Sequence, residues 1–456
     1  MSEHLCSVGI DVGTTTTQII VSRLTVENRA AGFAVPHLQI THRQILYTSP
    51  VHFTPLTGSD LVDGPWIRKL VEQAYEQAGI TPQTVDTGAV IITGETSRKE
   101  NARRVLESLS GFAGEFVVAT AGPDLESVLA AHGAGAVTYS QETGKQVLHM
   151  DIGGGTTNLA LIKEGNIQST GCLNVGGRLL KVDPSGRVTY LSPVIRDFTQ
   201  LRQGDFAKPE SVEQLADLLV QALEMAAGLR EKNPLWEKLV TREAAQTLPA
   251  QPGAVLSFSG GVADCIDTRH MPYAFGDIGP VLGARIRNSR LCRGEYRLGA
   301  HTIRATVIGA GCHSTQLSGS TVFCKGIRLP LQNLPVAELD QTQQYDPQII
   351  KNKLRRYDTD QVVLSIPGEE KPDYTHICRL AQSIAEAIKP GPVFVCVRQD
   401  MAKALGNCLA LAGCENCLCV DGIILREGNY LDVGKPVGPA FPVVIKTLVL
   451  QQSKDK

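Results

Sequence analysis

One pattern, met twice, constrains this chain more than any other feature. Val8-Gly9-Ile10-Asp11-Val12-Gly13-Thr14-Thr15-Thr16-Thr17-Gln18-Ile19-Ile20-Val21 runs from apolar residues into an aspartate, then through glycine and small hydroxyl residues into a β-branched stretch. That order predicts a β-hairpin with a tight turn. Leu148-His149-Met150-Asp151-Ile152-Gly153-Gly154-Gly155-Thr156-Thr157-Asn158-Leu159-Ala160-Leu161 aligns with it without a gap. Asp11 falls on Asp151, Gly13 on Gly153, Thr16 on Thr156, Thr17 on Thr157 and Gln18 on Asn158. An internal repeat of this kind predicts two similar structural units.

The repeated residue types suit one chemistry. Glycine lets the backbone come close to a ligand. Successive backbone N–H groups with hydroxyls beside them form a nest for anions. An aspartate at the mouth suits a hard cation held against phosphate oxygens, usually through water. Two such hairpins, one per unit, are expected to face each other across a nucleotide cleft. The pattern resembles the actin–Hsp70–sugar kinase superfamily. That resemblance implies an α/β, two-lobed, actin/Hsp70-like (ribonuclease-H-like) ATPase fold with duplicated lobes.

A third stretch fits the same order. Residues 254–264 form a hydrophobic strand ending in Ser259-Gly260-Gly261. Paired glycines let a planar ring lie flat on the backbone, and the stretch resembles the superfamily's adenosine motif. Phe275 to Gly283 follows where a second connecting helix would begin. Residues 305–311 read as a further strand with glycines at its end, an alternative place for the adenine.

Between these landmarks the chain reads as an ordinary α/β protein. Pro65 opens a helix with Ile67, Leu70, Val71, Ala74 and Ala78 on one face and Gly79 at its end. Residues 89–96 predict a buried strand running into a glycine turn, with Glu95 as a polar candidate at a strand end. Ser97 and Glu100 have capping-box spacing. Asp124 to Gly135 predicts a helix rich in small residues, placed to connect the lobes. His132 reads as a helix-end histidine and not as a ligand. Residues 183–208 are rich in turn formers, and a helix with Val212, Leu215, Ala216, Leu219, Leu223 and Ala226 on one stripe follows. Residues 331–360 read as a linker or surface excursion, and 361–411 as β-α-β-α. The expected units are 1–140 as the first lobe, 141–330 as the second with an insertion at 183–250, and 331–456 as an extra C-terminal α/β unit.

Composition narrows the function classes. At 456 residues with 43% hydrophobic and 20% charged content, the chain is long and apolar enough for roughly two to four globular domains. A net charge of −2 argues against a broad nucleic-acid surface. No run of about twenty apolar residues predicts a transmembrane helix. The twelve cysteines are scattered, as expected of reduced thiols in a cytoplasmic protein. Cys408, Cys414, Cys417 and Cys419 crowd together, but only one C-x-x-C is present and no histidine pair completes a zinc or iron–sulfur set, so buried thiols are expected.

Over its whole length the chain also resembles one family, the ethanolamine ammonia-lyase reactivating factors of the bacterial ethanolamine-utilisation pathway. The specific pieces are Gly94-Glu95-Thr96-Ser97-Arg98-Lys99-Glu100-Asn101, Asp151 to Asn158, and Gly309-Ala310-Gly311-Cys312-His313-Ser314-Thr315-Gln316-Leu317-Ser318-Gly319. The resemblance implies a slow, chaperone-like ATPase that uses ATP and Mg²⁺. Its partner would be ethanolamine ammonia-lyase carrying damaged cobalamin, which leaves so that intact adenosylcobalamin can bind. Cytoplasmic location, with the ethanolamine microcompartment as a further place, and assembly with further copies of the chain are compatible with it. On this reading Asp11 and Asp151 hold Mg²⁺ and order the attacking water. Gly13, Thr14, Thr15, Thr16, Gly153, Gly154, Gly155, Thr156 and Thr157 hold phosphates, and Ser259, Gly260 and Gly261 the adenosine. The related diol dehydratase reactivases add a small subunit resembling a piece of their target; no such segment is found here, which speaks against subunit swapping. Three alternatives use the same cleft: a small-molecule kinase, an iron–sulfur ATPase activating a dehydratase, and an actin-like polymer.

Overall fold

The computed structural model describes residues 3–13, 16–29, 38–57, 61–92, 117–120, 123–241, 253–313, 315–319, 321–357, 359–369 and 371–447. The motif at 94–101, with Glu95 and the Ser97/Glu100 capping pair, lies outside them, as do Thr14 and Thr15.

The first repeat does form a hairpin. β1 (Glu3–Val12) and β2 (Thr16–Asn28) pair antiparallel, with Asp11 opposite Gln18 and Val12 opposite Thr17. β3 (Leu38–Thr48) and the short β4 (His52–Phe53) pair with β2. Alternation in β1 and β2 sends Val8, Ile10, Val12, Ile19 and Val21 to one face. There they meet Ile67, Leu70 and Val71 of α1 (Gly64–Ala78). α1 starts where the Asp63 carboxylate accepts from the Trp66 N–H at 3.0 Å, and stops at left-handed Gly79. β5 (Thr87–Ile92) and β6 (Val117–Thr120) then add in parallel.

The second repeat builds the same sheet. After α2 (Pro123–Gly133) and α3 (Ala136–Thr143), β7 (Val147–Ile152), β8 (Thr157–Lys163) and β9 (Asn166–Leu173) form a meander. β10 (Val255–Ser259) and β11 (Tyr296–Leu298) join in parallel. With the short β4 left aside at the edge of β2, the first sheet runs β3-β2-β1-β5-β6 and the second β9-β8-β7-β10-β11, the same order of five strands. That duplicated order, with an antiparallel hairpin followed by parallel strands, is the two-lobed actin/Hsp70-like, ribonuclease-H-like fold. In the stretch read as an insertion, α4 (Pro209–Ala226) buries its apolar stripe in the main core of the second lobe, with Leu148, Phe258 and Leu282.

Two expectations are corrected. Residues 305–311 are not a strand; α5 (Gly279–Arg287) is followed by α6, a helix over Ala305–His313. A short apolar run with small residues cannot be told from a buried helix by periodicity. α6, and not the segment at 275–283, is the helix that crosses α2 between the lobes. The crossing is close because it is lined with glycine. A Cβ on Gly133 would run into the Ala305 carbonyl, one on Gly309 into the Leu129 carbonyl, and one on Gly9 would lie 2.6 Å from the Val307 carbonyl. His132 and His313 stack at the end of this crossing with ring centroids 4.9 Å apart.

The second correction concerns 331–360. Leu331–Glu338 is a strand in the middle of an eight-stranded sheet, and Pro347–Leu354 is a helix. That sheet begins with Thr315–Leu317 and Phe323–Lys325, ahead of position 331, and ends with Pro442–Thr447. It is fixed to the first lobe. Leu317 and Val437 pack on Leu5, Leu24 and Val26, and the Thr87 and Thr315 hydroxyls lie 2.8 Å apart. The β-α-β-α reading of 361–411 matches strands Val363–Ile366 and Val393–Val397 with helices Tyr374–Ile388 and Ala402–Leu411.

Candidate functional site

A cavity of about 590 Å³ lies between the two lobes. Asp11, Gly13 and Thr16 line it from the first hairpin, and Asp151 with Gly153 to Thr156 from the second. Both turns are built alike: the Gly13 N–H donates to the Thr16 carbonyl and the Gly153 N–H to the Thr156 carbonyl, each at 2.9 Å. The matching register follows from the matching sequence, since Asp151 opposes Asn158 as Asp11 opposes Gln18.

The second turn is also held from behind. Its Gly153 and Gly154 carbonyls accept from the Gly177 and Arg178 N–H groups at 3.1 and 2.6 Å. Thr157 is buried and its hydroxyl donates to the Val175 carbonyl at 2.8 Å, so this residue braces the turn from outside the cavity wall. Gly260 and Gly261 line the cavity at the end of β10. Gly260 has φ +86° and a Cβ there would enter the Ile152 backbone, so β10 needs glycine to pack on the hairpin. Gly261 faces more open space, its nearest neighbour being Ile303 Cδ1 at 3.8 Å from a Cβ position.

Ser259 lies behind the wall, fully buried, where its hydroxyl donates to Asp151 Oδ1. Thr306 of α6 donates to Asp151 Oδ2 at 3.4 Å. Burial pushes the Asp151 carboxyl up to about 6, against the pull of these two hydroxyls. Burial pushes His149, next in line behind Ser259, down to about 3, so its imidazole is neutral.

Several wall residues were not singled out from sequence. Gln18 and Asn158 had a signal, a polar amide at the same place in both strands. Each leaves an amide oxygen buried without a hydrogen-bond partner. The Gln18 Nε2 donates to the Ile303 carbonyl at 3.0 Å, so its Oε1 is the atom left over. Glu126 at the start of α2, Asp264 and Thr306 also line the cavity. So does Arg178, which pairs with Asp277 at 3.2 Å and sits 5.4 Å above the Phe53 ring of the opposite lobe. Burial raises Asp277, with the Gly279 N–H and Arg178 acting against it. The glycine turn at 174–178 is expected near the cleft from its sequence, which is where Gly177 and Arg178 lie; nothing in the local pattern around Glu126 marks it as a wall residue.

The donor set fits a hydrated Mg²⁺ on a nucleotide. Two carboxylates, two orphaned amide oxygens and threonine hydroxyls are hard oxygen ligands, and Mg²⁺ is ordinarily held by one or two carboxylates plus phosphate oxygens. Among the described residues no cluster of three or more histidine, cysteine or acidic groups has metal-binding geometry. Cys414, Cys417 and Cys419 are buried free thiols, with the last two sulfurs 3.6 Å apart. No helix among the described residues is long and apolar enough to cross a membrane.

Comparison with known proteins adds the family. The sequence matches the family described as "Ethanolamine utilisation protein EutA" over residues 3–451. It is 41% identical to "Ethanolamine ammonia-lyase reactivase EutA" of Escherichia coli K12, covering 98% of this chain and 99% of that protein. It is 40% identical to the protein of the same description from Salmonella typhimurium LT2, again over 98% and 99%. Among solved structures, a Ppx/GppA family member from Aquifex aeolicus aligns over 68% of this chain and 88% of its own, at 15% identity and a TM-score of 0.36.

Proposed function

This chain belongs to the EutA family of ethanolamine utilisation proteins, and from that premise we propose that it is a reactivase of ethanolamine ammonia-lyase driven by ATP. One observation carries the ATP half of the reading: two hairpins of equal register present their aspartates and glycine turns to a single cavity between lobes. The reactivase half rests on the relatives.

The residues divide as follows. Gly13, Thr14, Thr15 and Thr16 take phosphate oxygens from the first lobe, and Gly153 to Thr156 take them from the second. Asp11 and Asp151 hold Mg²⁺ through its waters, with Gln18 and Asn158 accepting from those waters. The cation, when bound, neutralises phosphate charge. Asp151 orients the attacking water, and Gly260 and Gly261 border the adenosine. Catalysis of this kind is mostly positioning and charge neutralisation.

A nucleotide held by both hairpins ties the lobes together, and loss of its terminal phosphate releases that tie. Work on the lyase can come only from different affinities of the two nucleotide states for it. The test uses lyase inactivated by bound hydroxocobalamin, incubated with this protein, ATP, Mg²⁺ and fresh adenosylcobalamin. Activity should return, and should not return with Asp11→Asn or Asp151→Asn protein that is shown to be folded. Recovery no better than in a protein-free control sinks the reactivase reading, and absence of nucleotide uptake by calorimetry sinks the ATP half.

A further inference from the structure

The two hairpins match on the cavity side but differ behind it. In the second lobe His149, Ser257 and Ser259 lie at paired positions of β7 and β10, His149 opposite Ser257 and Asp151 opposite Ser259. The first lobe holds Gly9, Ala89 and Ile91 at the equivalent places, Gly9 opposite Ala89 and Asp11 opposite Ile91. One sheet thus makes the same turn without any of the three polar side chains. The fold does not require them.

Their hydrogen bonds form one directed chain. The Ser259 hydroxyl spends its only proton on Asp151 Oδ1. Its oxygen, 2.9 Å from His149 Nε2, must therefore accept from the imidazole. A neutral ring protonated at Nε2 accepts at Nδ1, and the Ser257 hydroxyl is there at 3.1 Å. All three side chains are buried, His149 and Ser259 completely. A polar chain in such a place is costly unless every member is satisfied. Here every member is, and the chain ends on a cavity-wall carboxylate.

We propose that His149 is a positioning residue for Asp151, holding Ser259 as a fixed donor so that Asp151 has one orientation in the cleft. The two aspartates then have unequal tasks. Asp151, fixed by Ser259 on one oxygen and Thr306 on the other, is the one that aligns the water or phosphate at the reacting centre. Asp11, which pairs with Ile91 where Asp151 pairs with Ser259, serves the cation. This assignment rests on the ATPase reading above.

The experiment compares His149→Leu, His149→Gln and Ser259→Ala in the full-length protein. Because Gln can still donate to Ser259, it should recover much of what Leu loses. For His149→Leu and Ser259→Ala, kcat for ATP should fall ten- to hundredfold while KM moves less than threefold, the pattern of an interaction made in the transition state. The double variant should be no worse than either single one. Thermal unfolding of each variant identifies any that fails to fold; Ser259→Ala, the smaller change, then carries the kinetic comparison. A second readout does not need hydrolysis. Nitrogen-15 spectra of histidine should find His149 protonated at Nε2 in the wild type and lose that preference in Ser259→Ala. A kcat within threefold of wild type in folded His149→Leu overturns the proposal, as does an Nδ1-protonated His149. Wild-type protein that binds but never hydrolyses ATP would overturn the ATPase reading instead, and the tautomer result would still decide whether His149 holds Ser259.

Discussion

At the residue scale the decisive group is Asp151, a carboxylate whose burial works against its charge. Its ordinary value near 3.8 is raised to about 6 in the folded protein. Between those two values the folded state binds the proton and the unfolded state does not. Stability therefore falls as pH rises through about 4 to 6, and above that window the folded protein carries a penalty of roughly 3 kcal/mol. Asp151→Asn removes the charge and keeps an acceptor for Ser259. The nucleotide-free, magnesium-free variant should be more stable than wild type at pH 7 by urea unfolding. The gain should shrink to nothing as pH falls towards 4. A variant no more stable at pH 7 would mean that Asp151 is well solvated in the open cleft. The same substitution is expected to abolish reactivation, so the site exchanges stability for chemistry.

At the element scale the α2–α6 crossing connects the lobes, and its closeness depends on glycine. Gly133 meets the Ala305 backbone and Gly309 meets the Leu129 backbone. Neither neighbour is a side chain that can rotate away, so a methyl group must push the helices apart. Gly133→Ala and Gly309→Ala should each cost about 1–3 kcal/mol. They should also weaken nucleotide binding without touching the nucleotide, because a wider crossing misaligns the two turns. Unfolding midpoints and calorimetric ATP titration measure the two effects. Alanine at Gly204, where no atom lies within 4 Å of a Cβ but φ is +94°, provides a surface comparison limited to backbone strain.

At the scale of the whole molecule, the eight-stranded sheet belongs mechanically with the first lobe through the seam of Leu317 and Val437 on Leu5, Leu24 and Val26. Closing around a nucleotide should therefore move the second lobe against a body made of the first lobe and the third sheet. Hydrogen exchange with a non-hydrolysable ATP analogue and Mg²⁺ should increase protection at both hairpin turns and along α2 and α6, and leave the seam unchanged. Altered exchange at the seam would mean that the third sheet moves independently.

The paired turns were legible because their chemistry is local. Asp, Gly and Thr in that order favour a turn through their own backbone preferences, and two copies in register point to two similar units. The β-α-β-α alternation of 361–411 was readable for the same reason, as was α1 with its cap. Other features depended on what lies across the molecule. Residues 305–313 carry an apolar, small-residue composition that suits strand or helix alike, and only the presence of α2 opposite makes the glycines a crossing. Residues 331–338 have a proline and no regular alternation, lie at the head of a Gln- and Asp-rich stretch, and are a strand because neighbours on both sides complete their hydrogen bonds. The chain from Ser257 through His149 to Asp151 joins segments 108 residues apart, and the pairing of β7 with β10 brings it into existence. By itself the sequence determined the turns and their number; the tertiary structure decided how Asp151 is braced, because bracing is a contact between strands and not a property of either.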